Sequence, residues 1–217
     1  MSSDPLEICL LSAVENHLRI TLSHIGDQRY LDLREMMEYH LGWVGESAAQ
    51  KAGGKRIRPL LLLLSCVAAD GKWETALPAA AAVELIHNFS LIHDDIEDNS
   101  PLRRGRPTIW ANWGIPQAIN TGDAMFTLAH LSILDLANDV SPNIVLHSAR
   151  LLQQTCLDLT KGQYLDIAYE EPREIIIDDY WPRVAGKTAA LLSACTEIGA
   201  VIAESDPAIQ EQYRTFG

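Results

Sequence analysis

Asp94-Asp95-Ile96-Glu97-Asp98 places four carboxylates in five consecutive positions. Helical periodicity over Thr75 to Asp98 sets Asp94 and Asp98 one turn apart on one face, with Asp95 beside them. Like charges at that spacing repel, and negative charge near a helix C-terminus is itself unfavourable. A divalent cation would relieve both. An all-oxygen donor set suits a hard ion, and Mg²⁺ usually takes one or two carboxylates together with substrate phosphates. The competing reading is a solvated acidic helix end.

The neighbouring residues favour the first reading. His87, Ser90, Asp94 and Asp98 fall on one stripe of the same helix. Arg103-Arg104-Gly105-Arg106-Pro107 follows at once, and Lys55-Arg56-Ile57-Arg58 opens another helix behind Gly53-Gly54. Helix N-termini with adjacent Lys and Arg are anion sites, and the guanidinium fork suits phosphate oxygens. In a chain with 17 Lys and Arg, this concentration in two short segments is notable. A cation-binding carboxylate face between two basic patches would accommodate diphosphates.

The elements that must position these groups are helical. Asp4-Pro5 with Glu7 reads as a capped helix start, and Leu6, Leu10, Val14, Leu18 and Leu22 recur at turn spacing until about Gly26. A second helix carries Leu33, Met36, Met37 and Leu41 and closes at Gly42 to Gly45; the Leu60 to Leu64 run reads as core. After a loop punctuated by Pro101, Gly105, Pro107, Gly114 and Pro116, in which Trp110 and Trp113 read as core anchors, helices are expected over 117–138, 143–169, 175–203 and 207–215. Ile175 to Ile177 is too short for a strand, and Glu170, Glu171 and Glu174 read as solvated surface. The expectation is a single all-α domain, an antiparallel bundle of long helices.

With 217 residues, 47% hydrophobic and 21% charged, the chain is globular in composition. Its net charge of -12 argues against nucleic acid and anionic membranes as partners. Cys9, Cys66, Cys156 and Cys195 are too far apart for a chelating pair, so four buried thiols in a reducing, cytoplasmic setting are expected. The N-terminus carries no secretory signal pattern, and Glu84, His87 and Asn88 interrupt the apolar stretch Ala76 to Ile92, so no transmembrane segment is expected. His93 lies off the polar stripe and reads as a hydrogen-bonded packing histidine.

Taken together, Gly53-Gly-Lys-Arg-Ile-Arg-Pro59, Glu84-Leu-Ile-His87, Leu91-Ile-His-Asp-Asp-Ile-Glu-Asp98, Arg103-Arg-Gly-Arg-Pro-Thr-Ile-Trp110, Gly122-Asp123, Gly162-Gln163 with Asp166, and Gly186-Lys-Thr-Ala189 resemble the trans-isoprenyl diphosphate synthases, or polyprenyl synthetases. The resemblance implies a bundle around a central cavity, a homodimer, Mg²⁺ as cofactor and a role in isoprenoid biosynthesis. It implies that Lys55, Arg58, His87 and Arg104 hold isopentenyl diphosphate, and that Arg103 and Lys187 hold an allylic diphosphate. Asp94 and Asp98 match metal ligands with Asp95 in support, Thr188 lies beside the developing cation, and Gln163 and Asp166 line its pocket. Ionisation of the allylic C–O bond, attack by the isopentenyl double bond and proton loss would complete the condensation.

The sequence ends at Tyr213-Arg-Thr-Phe-Gly217, before the family's second aspartate-rich motif, and Asp178-Asp179 does not replace it because Pro182 stands where a third carboxylate should be. Residues 1–217 are therefore expected to be one domain truncated ahead of that motif, inactive by itself. Pro182 is expected to mark a helix start or kink near Lys187. Three readings stand at this point: a prenyltransferase, a non-catalytic prenyltransferase-like subunit that modulates a complete partner, and another all-α Mg²⁺ diphosphate enzyme such as a cyclase, against which the two basic motifs speak. Phe89 at the fifth position before Asp94, with the small Ser90 at the fourth, resembles geranylgeranyl diphosphate synthases and implies that product.

Overall fold

Ala79, Ala80, Ala81 and Ala82 are all wholly buried, so the start of their helix is enclosed on every side. That helix, α4 (Leu77–Glu97), is the axis of the fold. Small side chains there let neighbouring backbones approach closely. The computed structural model describes residues 4–45, 54–169 and 177–217. Around α4 stand α1 (Pro5–Leu22), α3 (Ile57–Ala68), α6 (Ile115–Leu134), α7 (Pro142–Ala168) and α9 (Ala190–Ile202). Short helices complete it: α2 (Leu31–His40), α5 (Ile109–Trp113), α8 (Ile177–Val184) and α10 (Pro207–Phe216).

The all-α expectation holds, with local differences. Leu10, Val14, Leu18 and Leu22 form the buried stripe of α1, and Asp4 caps the helix by accepting from the Leu6 N–H. Cys9, expected to be buried, is exposed, because it sits beside that stripe; the other three cysteines are buried. Leu62 and Leu63 are core, but Leu64 turns outward. The basic loop contains a two-residue antiparallel pair, Leu102–Arg103 with Arg106–Pro107, which no alternation in the sequence announces.

The helix expected over 175–203 is divided. α8 contains Pro182, Ala185–Ala189 forms a π-turn, and α9 follows. Proline removes one backbone donor and obstructs the preceding turn, which agrees with an irregularity just beyond it. Gly53, Glu170, Glu171, Glu174 and Ile175 lie outside the described residues, as do the side chains of Asp178 and Asp179. Among the described residues, two stretches, Trp73–Glu97 and Tyr180–Ile202, are long and apolar enough to cross a membrane, but most of each apolar window is buried against the rest of the protein.

Candidate active site

The three aspartates at the acidic end of α4 stand in three different settings. Asp94 lines a cavity of about 170 Å³ together with Arg58, His87, Ser90, Lys187 and Thr188. Asp98, at the C-cap of α4, lines an open acidic hollow with Glu97, Asp166 and Arg183. Asp95 points the other way. Its buried carboxylate accepts from Arg103 Nε at 2.8 and 3.0 Å, and its carbonyl accepts from Trp110 Nε1. Asp95 thus orients Arg103, and the structure keeps it apart from the cavity that Asp94 lines.

Burial pushes the Asp94 carboxyl up to about 6, with Glu97 and Asp98 adding to the rise and Lys187 opposing it. A charge-neutralising partner at this position would relieve that repulsion. Burial works to lower the Lys187 ammonium, but its bond to Asp166 and the fields of Asp94, Asp166 and Asp98 outweigh it, so the pKa rises. Lys187 is a cation at neutral pH.

Lys187 owes its place to the π-turn. α7 and the turn cross at Gly162 and Gly186, where a Cβ on Gly162 would lie 2.4 Å from the Lys187 amide nitrogen. π-turns recur at functional sites because they displace a few side chains from helical register. Asp166, one turn along α7 from Gly162, accepts from both Lys187 and Arg183, and Gln163 donates to Glu97 at 2.7 Å.

On the other side of Arg58 and His87 lies a basic cavity of about 470 Å³, lined by Gly54, Lys55, Arg56, Glu84 and Arg104 as well. Arg58 Nη1 lies 3.2 Å from His87 Nε2, while Arg58 Nε is buried without a hydrogen-bond partner. Burial and then the nearby Arg58 lower the His87 pKa to about 3, so His87 is neutral and serves as a hydrogen-bonding group. A third cavity, of about 330 Å³, shares Ser90, Asp94, Leu159 and Gln163 with the Asp94 cavity and adds apolar walls from Phe89, Tyr164 and Ile167. A basic cavity, a mixed cavity in which Asp94 faces Arg58 and Lys187, and a cavity walled by Phe89, Tyr164 and Ile167 beside Glu97 therefore stand in series along α4.

His93 departs from expectation. Its Nε2 is buried with no hydrogen-bond partner, 3.6 Å from Asp123 Oδ1 and against Gly122, and its ring meets Phe89 edge-on. The polyprenyl synthetase model matches residues 43–217.

The chain belongs to the polyprenyl synthetase family.

It is 41% identical over 187 residues to a geranylgeranyl diphosphate synthase of Mycobacterium tuberculosis, covering 85% of this chain and 53% of that one. It is 38% identical over 199 residues to a (2E,6E)-farnesyl diphosphate synthase of Mycobacterium bovis, covering 91% and 54%. Among solved structures it resembles a polyprenyl synthetase from Streptomyces coelicolor A3(2), with a TM-score of 0.84, 33% identity, and 95% of this chain and 59% of that one covered. The geranylgeranyl pyrophosphate synthetase of Geoglobus acetivorans gives 0.80 at 29% identity, covering 94% and 64%. The chain spans about half the length of the curated relatives it matches.

For a polyprenyl synthetase, the carboxylate oxygens at the end of α4 are the donor type that suits a hard cation. Asp94 lines the cavity with Lys187 and Asp98 lines a separate hollow with Glu97 and Asp166, and among the described residues no group of three or more His, Cys, Asp or Glu is placed to hold a metal. Water and substrate phosphate would supply the remaining ligands, the usual manner for Mg²⁺. The structure brings together Asp94, His87, Ser90, Arg58, Gln163, Lys187 and Thr188, and sets Lys55 and Arg104 in the adjoining basic cavity. Sequence reasoning missed Arg183 and Glu97 as partners of Asp166 and Gln163. Arg183 follows Pro182 in a segment with no motif to single it out, whereas Glu97 was visible within the acidic run.

Proposed function

We propose that the whole protein is a prenyltransferase that condenses isopentenyl diphosphate with an allylic diphosphate, mainly to geranylgeranyl diphosphate. One observation carries this reading: a basic cavity, the mixed cavity of Asp94 and Lys187, and the cavity walled by Phe89, Tyr164 and Ile167 adjoin in that order, with Arg58 and His87 common to the first two and Ser90 and Asp94 common to the last two. Lys55, Arg58, Arg104 and neutral His87 bind the isopentenyl diphosphate group. Lys187, held by Asp166, and Arg103, held by Asp95, bind the allylic diphosphate as its C–O bond breaks. Asp94 and Asp98 would hold Mg²⁺, which when bound supplies charge neutralisation for the leaving diphosphate.

Thr188 and Gln163 flank the position of the allylic cation, and Gln163 Oε1, buried without a partner, offers it a lone pair. The isopentenyl double bond then attacks, its proton leaves to the released diphosphate, and the apolar cavity excludes water. Phe89 and Ser90 set the depth available to the product. Relatives with both geranylgeranyl and farnesyl products support the reaction class, and Ser90 favours the longer chain. We place the enzyme in the cytoplasm as a homodimer, for which Ile119, Leu131 and Leu134 leave apolar surface on α6.

Incubating the whole protein with Mg²⁺, dimethylallyl diphosphate and radiolabelled isopentenyl diphosphate, followed by dephosphorylation and chromatography, tests this. Labelled geranylgeraniol is expected. Absence of any labelled prenyl alcohol would refute the activity, and a shorter product alone would refute the chain length.

A further inference from the structure

Arg56 stands in the middle of the basic motif, between Lys55 and Arg58, yet its side chain turns inward and only 4% of it is exposed. All three of its guanidinium nitrogens are engaged by the protein. Nε donates to Glu15 Oε1 on α1 at 2.7 Å, Nη1 to Glu84 Oε1 on α4 at 2.8 Å, and Nη2 to the Leu41 carbonyl just beyond α2 at 3.1 Å. Both carboxylates are themselves fixed. Glu84 accepts from Asn88 Nδ2 at 2.9 Å, and Glu15 accepts from Trp43 Nε1 at 2.6 Å.

The backbone at this point is unusual too. Arg56 is the N-cap of α3 with φ 49 and ψ 36, a left-handed conformation that non-glycine residues rarely adopt and keep only where their surroundings enforce it. Gly54 is also left-handed, and the Arg104 guanidinium lies where its Cβ would be, 2.9 Å away. The turn from Gly54 to Arg58 is thus shaped by an inward anchor at Arg56 and a close approach of Arg104 at Gly54.

We infer that Arg56 is a positioning residue: clamped by Glu15 and Glu84, it holds the left-handed turn that presents Lys55 and Arg58 to the basic cavity, and it is not itself a ligand of the diphosphate. This rests on reading that cavity as the isopentenyl diphosphate site. Glu15 and Glu84 both pair with Arg56, so Lys55, Arg58 and Arg104 are the bases that the cavity presents to an anion. Arginine is required because only its planar fork reaches acceptors on three separate elements; a lysine would supply the charge without the clamp.

Positioning and direct binding predict opposite signs. Removing the Glu15 carboxylate takes a negative charge away from an anion site and frees part of the guanidinium. A ligand role therefore predicts tighter diphosphate binding by Glu15→Ala, whereas a positioning role predicts weaker binding. The experiment is calorimetric titration of wild type, Glu15→Ala, Arg56→Lys and Arg56→Met with isopentenyl diphosphate, and with a non-ionising thio analogue of farnesyl diphosphate plus Mg²⁺, alongside thermal melts. Expected are losses of about tenfold or more in isopentenyl diphosphate affinity for both Arg56 variants, and a smaller loss for Glu15→Ala, with affinity for the thio analogue held within about twofold.

Glu15 is partly exposed, so Glu15→Ala keeps the test open should Arg56→Met fail to fold. Wild-type affinity in Arg56→Lys, or unchanged or tighter binding in Glu15→Ala, would overturn the inference. Parallel loss of both ligands in step with melting temperature would also overturn it, because that marks a purely structural role. A wild-type protein that binds the thio analogue but no isopentenyl diphosphate would overturn the assignment of the cavity, and the inference with it.

Discussion

Gly162 and Gly186 meet backbone to backbone, and this contact sets Lys187 opposite Asp94. A Cβ on Gly162 would lie 2.4 Å from the Lys187 nitrogen and 2.7 Å from the Gly186 carbonyl carbon, and one on Gly186 would lie 2.8 Å from the Asp158 oxygen. All are backbone atoms, which cannot swing aside as a flexible side chain can. Gly162→Ala should therefore open the crossing, at about 1–3 kcal/mol in stability. It should lower kcat at least about tenfold by moving Lys187, while isopentenyl diphosphate binding persists. Thermal melts with steady-state kinetics check this; unaltered kcat would show that the close crossing is dispensable.

Asp94 and Asp95 are neighbours with separate duties. Asp94→Ala should abolish allylic turnover, by about a thousandfold or more at ordinary Mg²⁺, because the carboxylate that lines the cavity with Lys187 is lost. Asp95→Asn should leave Mg²⁺ dependence intact and instead weaken allylic diphosphate binding through Arg103, with about 1–3 kcal/mol of destabilisation. Mg²⁺ titrations of both variants separate the roles. Near-normal turnover by Asp94→Ala would reject its assignment.

Product length should respond to two adjacent residues of α4. Phe89 and Ser90 both wall the apolar cavity, and Phe89 is backed by Phe126 with ring centroids 5.0 Å apart. Phe89→Ala should lengthen the product and Ser90→Phe should shorten it. One residue is only ~1.5 Å of helix, so Phe126 on α6 must share control. Chromatography of dephosphorylated products decides, and unchanged lengths in both variants would remove these positions from the floor.

Acid should destabilise the protein through His40. Burial, followed by Arg103, Arg104, His87 and Arg56, lowers its pKa from 6.5 to about 3. The unfolded chain takes up a proton near pH 6.5 that the folded protein refuses, so this contribution is complete above that pH and is lost as pH falls toward 3. Asp94, raised to about 6, acts in the opposite sense, so the comparison of wild type with His40→Gln isolates the histidine. Melting temperatures from pH 7 to pH 4 should fall less steeply in His40→Gln; equal slopes would contradict the prediction.

Much of this architecture could be read from residue spacing because helix amphipathicity and like-charge repulsion are local properties. The stripe from Leu10 to Leu22 and the face shared by His87, Ser90 and Asp94 needed only a period of 3.6. Even Cys9 could have been placed outside, since it is one position off the Leu10 stripe. Long-range choices were hidden. Nothing in Lys55-Arg56-Ile57-Arg58 says which base turns inward, because the decision belongs to Glu15 and Glu84 on other helices. Pro182 announced an irregularity near Lys187, but its form, a π-turn over Ala185–Ala189, follows from the crossing of Gly162 with Gly186.

The central claim is that two diphosphate cradles meet at Arg58 and His87 and have separate occupants. Steady-state kinetics of Arg58→Ala and Lys187→Ala in the whole protein, with each substrate varied in turn, test it most directly. The account predicts that Arg58→Ala mainly raises KM for isopentenyl diphosphate, by about tenfold or more, whereas Lys187→Ala mainly lowers kcat by impairing ionisation of the allylic partner. The same defect toward both substrates in both variants would contradict it.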